Sequence, residues 1–566
     1  MITSFETIAV LTMIMIAIAV PKFGDRAFRI GARAFRNFAR RRKTAIASVA
    51  LLVLGVELIL AVCVHWPQPA VHDEFAYLLS ADTFAQGRLT NPTHPMWEHF
   101  DSYHIIQNPS YQAKYQPAQG VALAMGQVLF AAPIVGVWLT LSAACAAVCW
   151  MLYGWLPPRW ALLGGLLAVL SPGVLVVWGQ GFWGGGMPML GGALVYGALP
   201  RIVRCQRARD AVFMAIGLLI LANCRPYEGL VISIPAAIVL LVWILRHHRS
   251  QWTTDFRKTV LPIMAVLTCA GVWMGYYNYR VTGDPLRMPY QVWLEKRGYG
   301  LDRVVGLSRL DTPEPQKTAV VDEVDPAVQA RMEQQRAAHL FSRRPVVKLF
   351  HYYVFYFRFA LGISLLSLFW IVRRPWMRLA VVTAGLVLAV VVAEGTAAHA
   401  HYLAPATCLV AAIVVQGLRY IRQWTWKGRP TGLFLARAIP TVCAASMMFY
   451  LAVTFRSQPY PLWKDWSLER ARILSDLEQG ADRHLVVIRY QPDHIHHYEW
   501  VYNAADIDRA KVVWAHELDR TKNRDLLEYF RDRKVWLLQA DVEPRKLIPV
   551  QNPFVMPRDG TRIASH

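Results

Sequence analysis

The sequence predicts a polytopic α-helical membrane protein that carries a small α/β domain near its C-terminal end. Of its 566 residues, 55% are hydrophobic, and the mean hydropathy is +0.28. Many segments reach the ~20 apolar residues needed to cross the hydrocarbon core of a bilayer. Basic residues are concentrated in short loops between the apolar segments, and the residue pattern changes near the C-terminal end. We expect about 11–12 transmembrane helices on this basis.

The charge of the chain is concentrated in short loops between apolar segments. The net charge is +22, and six loop segments hold 26 of the 60 Lys and Arg residues but only three acidic residues. Basic loops that alternate with non-basic ones are the positive-inside pattern, which sets membrane orientation. A nucleic-acid partner is therefore not expected. The six segments are 21–44, 157–160, 200–210, 246–258, 373–378 and 419–437.

If the basic segments are cytoplasmic, the chain divides into three parts. Residues 1–44 form an apolar helix and a basic amphipathic segment. Residues 45–455 form the transmembrane domain, with long outer loops at 65–118 and 278–350, and residues 456–566 form an extracytoplasmic domain. The predicted location is the plasma (inner) membrane, crossed several times, with the lipid bilayer as a partner. The predicted spans are 45–64, 133–156, 160–178, 187–199, 211–222, 230–245, 260–277, 351–372, 379–394, 403–418 and 434–455, with 1–20 as a further candidate.

The C-terminal domain has a different residue pattern. Short runs rich in Val and Ile, HLVVIRY (484–490), KVVWAHE (511–517) and KVWLLQAD (534–541), alternate with helix-like segments. This alternation predicts an α/β domain with a mainly parallel sheet. The eight cysteines all lie in or beside apolar spans, so no disulfide framework is expected. Residues 325–344, in the second outer loop, are predicted to form an amphipathic helix.

Two adjacent carboxylates are the strongest functional signal. Asp73 and Glu74 lie in HDEFAYLL (72–79), just beyond the apolar span 45–64. Charges close to membrane depth tend to face cavities and mark functional sites. Solvated acids at the membrane surface are the alternative interpretation.

Other polar side chains are predicted at the same outer boundary. Carboxylates beside Arg, Lys and His suit a reaction in which a base removes a hydroxyl proton and cations hold a phosphate leaving group. Arg225 and Glu228 could instead form a structural ion pair. The candidate substrate-binding residues are Lys114, Tyr115, Arg225, Glu228, His399, His401 and Tyr402.

The histidines of the first outer loop suggest a metal site as an alternative. His94, His99 and His104, with Asp101, match no familiar ligand spacing. No metal or other cofactor is therefore expected, and a divalent cation is the less favoured alternative. The glycines of GQGFWGGG (179–186) are predicted to form a tight turn between closely packed helices.

Three motifs resemble the GT-C class of polytopic glycosyltransferases, which includes protein O-mannosyltransferases and the lipid A aminoarabinose transferase. HDEF matches the Asp-Glu pair that opens the first outer loop in that class. AKYQPAQGVALAMG (113–126) resembles a Lys-Pro-Pro-Leu run, with Lys114 and Pro117 kept. HYLAPATCLVAAI (401–413) resembles an Arg-Tyr-Leu-x-Pro stretch, with His401 where Arg is usual. The likeness covers the membrane part in outline, about two thirds of the chain.

The resemblance implies an inverting glycosyltransferase that uses a polyprenyl-phosphate sugar outside the membrane. The acceptor would be a hydroxyl on a glycan, lipid or protein. Asp73 would resemble the general base, Glu74 would orient its neighbours, and Lys114 would contact phosphate or acceptor. A role for His401 would depend on pH.

Two functions other than glycosyl transfer are also compatible with a polytopic membrane protein. About twelve spans also suit a secondary transporter, and a non-catalytic assembly protein for envelope polysaccharide is a third interpretation. Transporters usually place polar residues at the middle of the membrane and show repeated halves. Here the polar residues cluster at the outer boundary and the two long loops are unequal, which favours the transferase.

Overall fold

The computed structural model describes residues 2–246, 252–296, 344–394, 399–456, 465–491, 494 and 498–550. The helix predicted at 325–344 lies largely outside these residues. The longer helices are α1 (Ile2–Ala19), α2 (Asp25–Arg40), α3 (Arg42–Cys63), α4 (His72–Ala85), α5 (Pro117–Phe130), α6 (Pro133–Trp155), α7 (Pro158–Val169), α8 (Gly186–Cys205), α9 (Ala208–Cys224), α10 (Pro226–Arg246), α11 (Trp252–Asp255), α12 (Leu261–Thr282), α13 (Pro289–Lys296), α14 (Pro345–Tyr356), α15 (Arg358–Gly362), α16 (Leu368–Ile371), α17 (Pro375–Ala393), α18 (Thr407–Ile421), α19 (Thr431–Arg456), α20 (Asp465–Glu478) and α21 (Arg520–Tyr529).

Short helical turns connect several of these elements. They are the 3₁₀ segments Trp97–Phe100, Ile363–Ser367 and Ala400–Ala406 and the π-helical segments Gly173–Val177 and Phe256–Val260. The strands are β1 (Ile105–Ile106), β2 (Gln112–Ala113), β3 (His484–Arg489), β4 (Val512–His516), β5 (Lys534–Gln539) and β6 (Leu547–Pro549).

Helices occupy every predicted span, but they differ in length. Within the described part of the chain, seven are long and apolar enough to cross a membrane, and a bent pair would make eight. The predicted spans 187–199 and 211–222 fall in α8 and α9 and do not meet that test. Neither do the span predicted at 160–178, where α7 ends at Val169, and the candidate span 1–20. Because α8 packs between α6 and α9, it presents little surface to lipid and needs less apolar sequence. The seven helices are Arg42–Cys63, Pro133–Trp155, Pro226–Arg246, Phe256–Thr282, Pro375–Ala393, Ala400–Ile421 and Thr431–Val453.

The span predicted at 351–372 is broken. Helices α14 and α15–α16 meet at an angle of 101°, and Arg358 at the break has φ of 50°. Glu6 of α1 accepts hydrogen bonds there from Nε of Arg358 at 2.5 Å and from the backbone N–H groups of Phe359 and Ala360. The carboxylate therefore satisfies backbone donors that the break leaves unpaired.

The basic segments meet at one end of the helical bundle. Nη1 of Arg437 lies 2.5 Å from the Asp25 carboxylate, which joins two of them. The Tyr153 hydroxyl donates to the carbonyl of Ala39 at 2.7 Å, and Nη1 of Arg204 donates to the carbonyl of Gly154 at 2.8 Å. These contacts bring together three of the six basic segments, 21–44, 200–210 and 419–437, and the side of the membrane on which they lie stays a prediction.

The C-terminal part contains a four-stranded sheet of order β4-β3-β5-β6. Strand β3 pairs in parallel with β4 and β5, and β6 is antiparallel to β5, so the mainly parallel sheet was predicted correctly. The core under this sheet also contains residues of the first outer loop. The Phe75 ring, for example, stacks on Tyr502 at 4.4 Å. The loop and the sheet are therefore packed as one unit.

Candidate functional site

Asp73 lies at the start of α4, between two histidines and a tyrosine. The Tyr115 hydroxyl donates to Oδ1, and Nε2 of His104 lies 3.4 Å from the same oxygen. Nε2 of His72 lies 3.6 Å from Oδ2. The side chain is 29% exposed, so one edge of the carboxylate stays accessible. The first turn of a helix also favours negative charge.

These neighbours decide the protonation of Asp73. Burial opposes ionisation, but His104, His72 and the Tyr115 hydroxyl outweigh it and hold the pKa of Asp73 well below its usual range. Burial, aided by Lys114, lowers the pKa of His104. At neutral pH the imidazole of His104 is therefore uncharged and can donate an N–H to an ionised Asp73.

Glu74 points away from Asp73, into the protein. Its Oε2 accepts the backbone N–H of Ala70 at 2.6 Å and that of Val71 at 3.2 Å. Its Oε1 accepts the backbone N–H of Phe182 at 2.7 Å. Burial raises the pKa of Glu74 to about 7. Glu74 thus joins the start of α4 to the glycine-rich segment.

The glycine-rich segment 179–186 lies against buried polar groups. A Cβ on Gly179 would lie 1.9 Å from Oε1 of Glu57, and one on Gly184 would lie 2.0 Å from Oε1 of Gln119. Gly184 also has φ of +58°, a conformation that glycine adopts without strain. The predicted tight turn is present, and it brings the Trp183 ring to 5.1 Å from His401.

Lys114 is buried among aromatic rings. Its Nζ lies 3.4 Å from the ring centroid of Trp293, 5.0 Å from Tyr290 and 5.3 Å from Tyr115. Both Trp293 and Tyr290 belong to α13. Cation–π contacts of this kind stabilise a desolvated ammonium group. They hold a positive charge beside Tyr115 and hence beside Asp73.

Arg225 and Glu228 form a second charged group at the same boundary. Nη1 of Arg225 lies 3.8 Å from the Glu228 carboxylate, and the guanidinium lies over the Tyr402 ring at 4.8 Å. The Tyr77 ring stacks on the Tyr115 ring at 4.4 Å. Burial raises the pKa of Tyr77, and the charges of Arg225 and Asp73 also act on its hydroxyl. Arg225 and Glu228 therefore form the ion pair that the sequence analysis offered as one interpretation.

The segment around His399 and His401 closes another side of the site. The two imidazole rings lie 5.4 Å apart, and His401 lies 4.8 Å from the Tyr402 ring. Hydroxyls of α14 hold this segment: Tyr352 donates to the carbonyl of His399 and Tyr356 to that of Ala400. Both His401 and Tyr402 experience the charge of Asp73. Contacts thus join Asp73, Tyr115 and Lys114 in one group, and Arg225, Glu228, Tyr402, His401 and His399 in a second.

The histidines considered as metal ligands do not gather in the way the loop sequence suggested. His94 lies 3.2 Å from Asp508, and His99 bonds the carbonyls of His516 and Lys522, so both hold the loop to the C-terminal sheet. Among described residues, the group with suitable geometry is His72, Asp73 and His104, whose donor atoms lie within 4.8 Å of one another. This N₂O set could hold one divalent cation.

Sequence reasoning missed the aromatic residues of the site. Trp183, Tyr77, Tyr290 and Trp293 contact His401, Tyr115 or Lys114. These side chains carry no charge, so the pattern of charged residues at the outer boundary does not indicate them. The spacing of Tyr290 and Trp293, three residues apart on α13, would have been the available signal.

The comparisons with known proteins identify the fold. No protein-family profile matches the chain, and no curated protein matches its sequence. The archaeal oligosaccharyltransferase AglB from Archaeoglobus fulgidus, solved with an inhibitory peptide and a dolichol-phosphate, superposes with a TM-score of 0.50 at 10% identity, covering 88% of this chain and 69% of AglB. ArnT from Cupriavidus metallidurans bound to undecaprenyl phosphate gives 0.50 at 11% identity, covering 86% and 92%. The chain therefore has the GT-C fold.

Proposed function

We propose that this protein is a membrane glycosyltransferase. It transfers a sugar from a polyprenyl-phosphate donor to a hydroxyl acceptor on a glycan, lipid or protein. The observation that carries the proposal is the site around Asp73. This carboxylate has one accessible edge and accepts a hydrogen bond from Tyr115, whose ring lies 5.3 Å from the buried ammonium group of Lys114. A second cation, Arg225, lies over the Tyr402 ring. The carboxylate can act as a base toward the acceptor, and the cations can stabilise the phosphate of the donor.

The proposed chemistry is an in-line displacement at the anomeric carbon. A bond forms between the acceptor oxygen and C1, and the bond between C1 and the phosphate oxygen breaks, so the configuration inverts. Asp73 takes the hydroxyl proton on Oδ2, since Oδ1 already faces Tyr115 and His104. Arg225 and Lys114 stabilise the departing phosphate, and Glu74 positions α4. His399, His401 and Tyr402 line the donor side.

The fold comparisons support a lipid-linked donor. The ArnT structure contains undecaprenyl phosphate and the AglB structure contains a dolichol-phosphate. We assign a donor of the same chemical class to this chain. The cation that could sit among His72, Asp73 and His104 is not required by the proposed steps, because the imidazoles themselves can donate to Asp73.

The reaction is proposed for the extracytoplasmic face of the inner membrane. The basic segments meet at one end of the bundle, as the Arg437–Asp25 pair indicates, and the positive-inside rule assigns that end to the cytoplasm. Asp73 follows the opposite end of α3. The domain limits 1–44, 45–455 and 456–566 remain our proposed division, with the last part shaping access of the acceptor.

The alternatives have weaker support. A secondary transporter would be expected to carry its polar groups near the middle of broken helices, whereas Asp73, Lys114 and Arg225 lie at helix ends or in loops. A non-catalytic assembly protein would have no need for an ionised carboxylate beside cations.

Activity of the purified full chain tests this proposal. In detergent, we expect transfer of labelled sugar from at least one polyprenyl-phosphate sugar to a hydroxyl acceptor, with a free polyprenyl phosphate as product. EDTA should leave the rate unchanged. The absence of transfer and hydrolysis across a panel of such donors would contradict the proposal, and a rate restored only by added metal would assign a cation to the His72–Asp73–His104 group.

A further inference from the structure

A polar cavity lies at the opposite end of α4 from Asp73. It has a volume of about 750 Å³ and is lined by residues 87–92, by Pro109 and Ser110, and by three residues of α12. Ala85 lies twelve positions after Asp73 in α4, which is about 18 Å at 1.5 Å per residue. The cavity is therefore separate from the reaction site, and its size suits a headgroup or a small ligand.

The charged side chains that line this cavity are all positive. Arg88 and Arg280 line it, and none of the described lining residues is acidic. Arg88 donates to Gln86, and Arg280 donates to the Tyr276 hydroxyl at 3.2 Å. In the described part of the chain, neither guanidinium has a carboxylate within 4.0 Å. Two forked cationic donors without an acid match a phosphate group.

One wall of the cavity is formed by α12, a helix with a largely exposed apolar surface. Trp273, Tyr276 and Arg280 follow one another at spacings of three and four residues, so they share one face of α12. Only 11% of the apolar window of this helix is buried within the protein. Trp273 and Tyr276 are 42% and 48% exposed, and Trp and Tyr are typical of the membrane–water interface.

We propose that this cavity binds the phosphate headgroup of an anionic lipid that is distinct from the donor. Arg88 and Arg280 hold the phosphate, the rings of Trp273 and Tyr276 pack against its linking groups, and the acyl or prenyl chain lies along the exposed face of α12. The apolar face favours a lipid over free inorganic phosphate, which offers nothing to pack there. This proposal goes beyond the transferase activity and does not depend on it.

Native mass spectrometry of the delipidated full chain tests the proposal. We add phosphatidylglycerol, phosphatidylcholine or inorganic phosphate. The wild-type protein should retain one phosphatidylglycerol in preference to phosphatidylcholine. The double variant Arg88→Gln/Arg280→Gln should lose affinity for that lipid by about thirtyfold, since each basic residue near an anionic headgroup contributes ~1 kcal/mol. Arg287→Gln is the matched control, because Arg287 is exposed nearby but pairs with Glu295, and it should bind as the wild type does.

A second measurement guards against misfolding of the double variant. Without added lipid, its melting temperature should equal that of the wild type, and phosphatidylglycerol should raise the melting temperature of the wild type alone. Equal retention of both lipids, or unchanged binding in the double variant, would overturn the proposal. Binding of inorganic phosphate that displaces the lipid would show that the site takes free phosphate and would overturn the lipid assignment.

Discussion

At the scale of single residues, the site separates two adjacent carboxylates into two roles. Asp73 keeps one accessible edge, and His104, His72 and Tyr115 hold its pKa well below the usual range. Glu74 is buried, and both of its oxygens accept backbone N–H groups. The environments differ because successive side chains of a helix point about 100° apart. One residue is therefore available for chemistry, and the other fixes the backbone that carries it.

The buried position of Glu74 predicts a pH dependence of stability. Its pKa rises from 4.5 to about 7 on burial, so the folded state prefers the protonated acid. The stabilisation from this group is complete below pH 4.5 and is lost as the pH rises through 7, a change of up to about 3 kcal/mol. Between pH 5 and pH 8, the melting temperature of Glu74→Gln should therefore fall less than that of the wild type.

Melting curves of the purified protein in detergent check this prediction. Glu478→Gln serves as the control, since Glu478 is exposed at the end of α20, and it should keep the wild-type pH slope. If Glu74→Gln had the same slope as the wild type, Glu74 would not be the group that titrates.

The charged residues of the site, with Tyr115 and Tyr402, could be predicted from the sequence, whereas Tyr77, Trp183, Tyr290 and Trp293 were not. Asp73 and Lys114 follow from charge placed at the ends of apolar spans. The ring of Trp293 reaches Lys114 from a position 179 residues further along the chain, and the local spacing of Tyr290 and Trp293 does not indicate which distant residue they contact. Contacts of that kind are set by tertiary packing alone.

At the scale of elements, the spans were predictable because hydropathy is a local property. The break between α14 and α15 was not, because its cause lies elsewhere in the chain. Glu6 of α1 pairs with Arg358 and accepts two backbone N–H groups at the break. A carboxylate 352 positions away cannot be matched to a helix break from sequence alone.

The glycine-rich segment offers a prediction at this scale. Gly184→Ala would place a methyl group 2.0 Å from Gln119 in a left-handed conformation, which costs about 1–2 kcal/mol before the clash is counted. Gln119 donates to the carbonyl of Phe182, so the segment would shift away from Glu74. We expect a lower melting temperature and reduced transfer activity.

Gly55→Ala is the matched control for this substitution. Gly55 lies in α3, where a Cβ would meet nothing within 4 Å, and alanine favours a helix by up to about 1 kcal/mol. The control should be neutral or slightly more stable. Wild-type stability and activity in Gly184→Ala would mean that the turn tolerates a side chain.

At the scale of the whole molecule, the first outer loop and the C-terminal sheet form one outer body. Asp82 of α4 accepts the backbone N–H of Ala505 at 2.7 Å, and the Arg470 guanidinium lies over the Phe75 ring at 4.8 Å. The sequence predicted the loop and the sheet separately. Their shared core could not be predicted, because the partners lie about four hundred residues apart.

The orientation of the molecule can be tested by labelling. Two exposed positions are converted singly to cysteine, Gly480→Cys in the outer body and Arg207→Cys among the basic segments. The exposed native cysteines 63, 205 and 269 are first replaced by serine. A membrane-impermeant maleimide added to intact cells should label Gly480→Cys and leave Arg207→Cys unlabelled until the membrane is opened. The reverse pattern would place the site in the cytoplasm.

The rate of sugar transfer by Asp73→Asn tests the central claim most directly. Asparagine keeps the shape of the side chain and an acceptor for the Tyr115 hydroxyl but cannot take the proton. We expect the protein to fold with the wild-type melting temperature and to lose roughly two to four orders of magnitude in kcat, the range for a positioned general base. The exposed control Asp525→Asn should retain full activity. A stable Asp73→Asn protein that transferred sugar at close to the wild-type rate would contradict the assignment of Asp73 as the base.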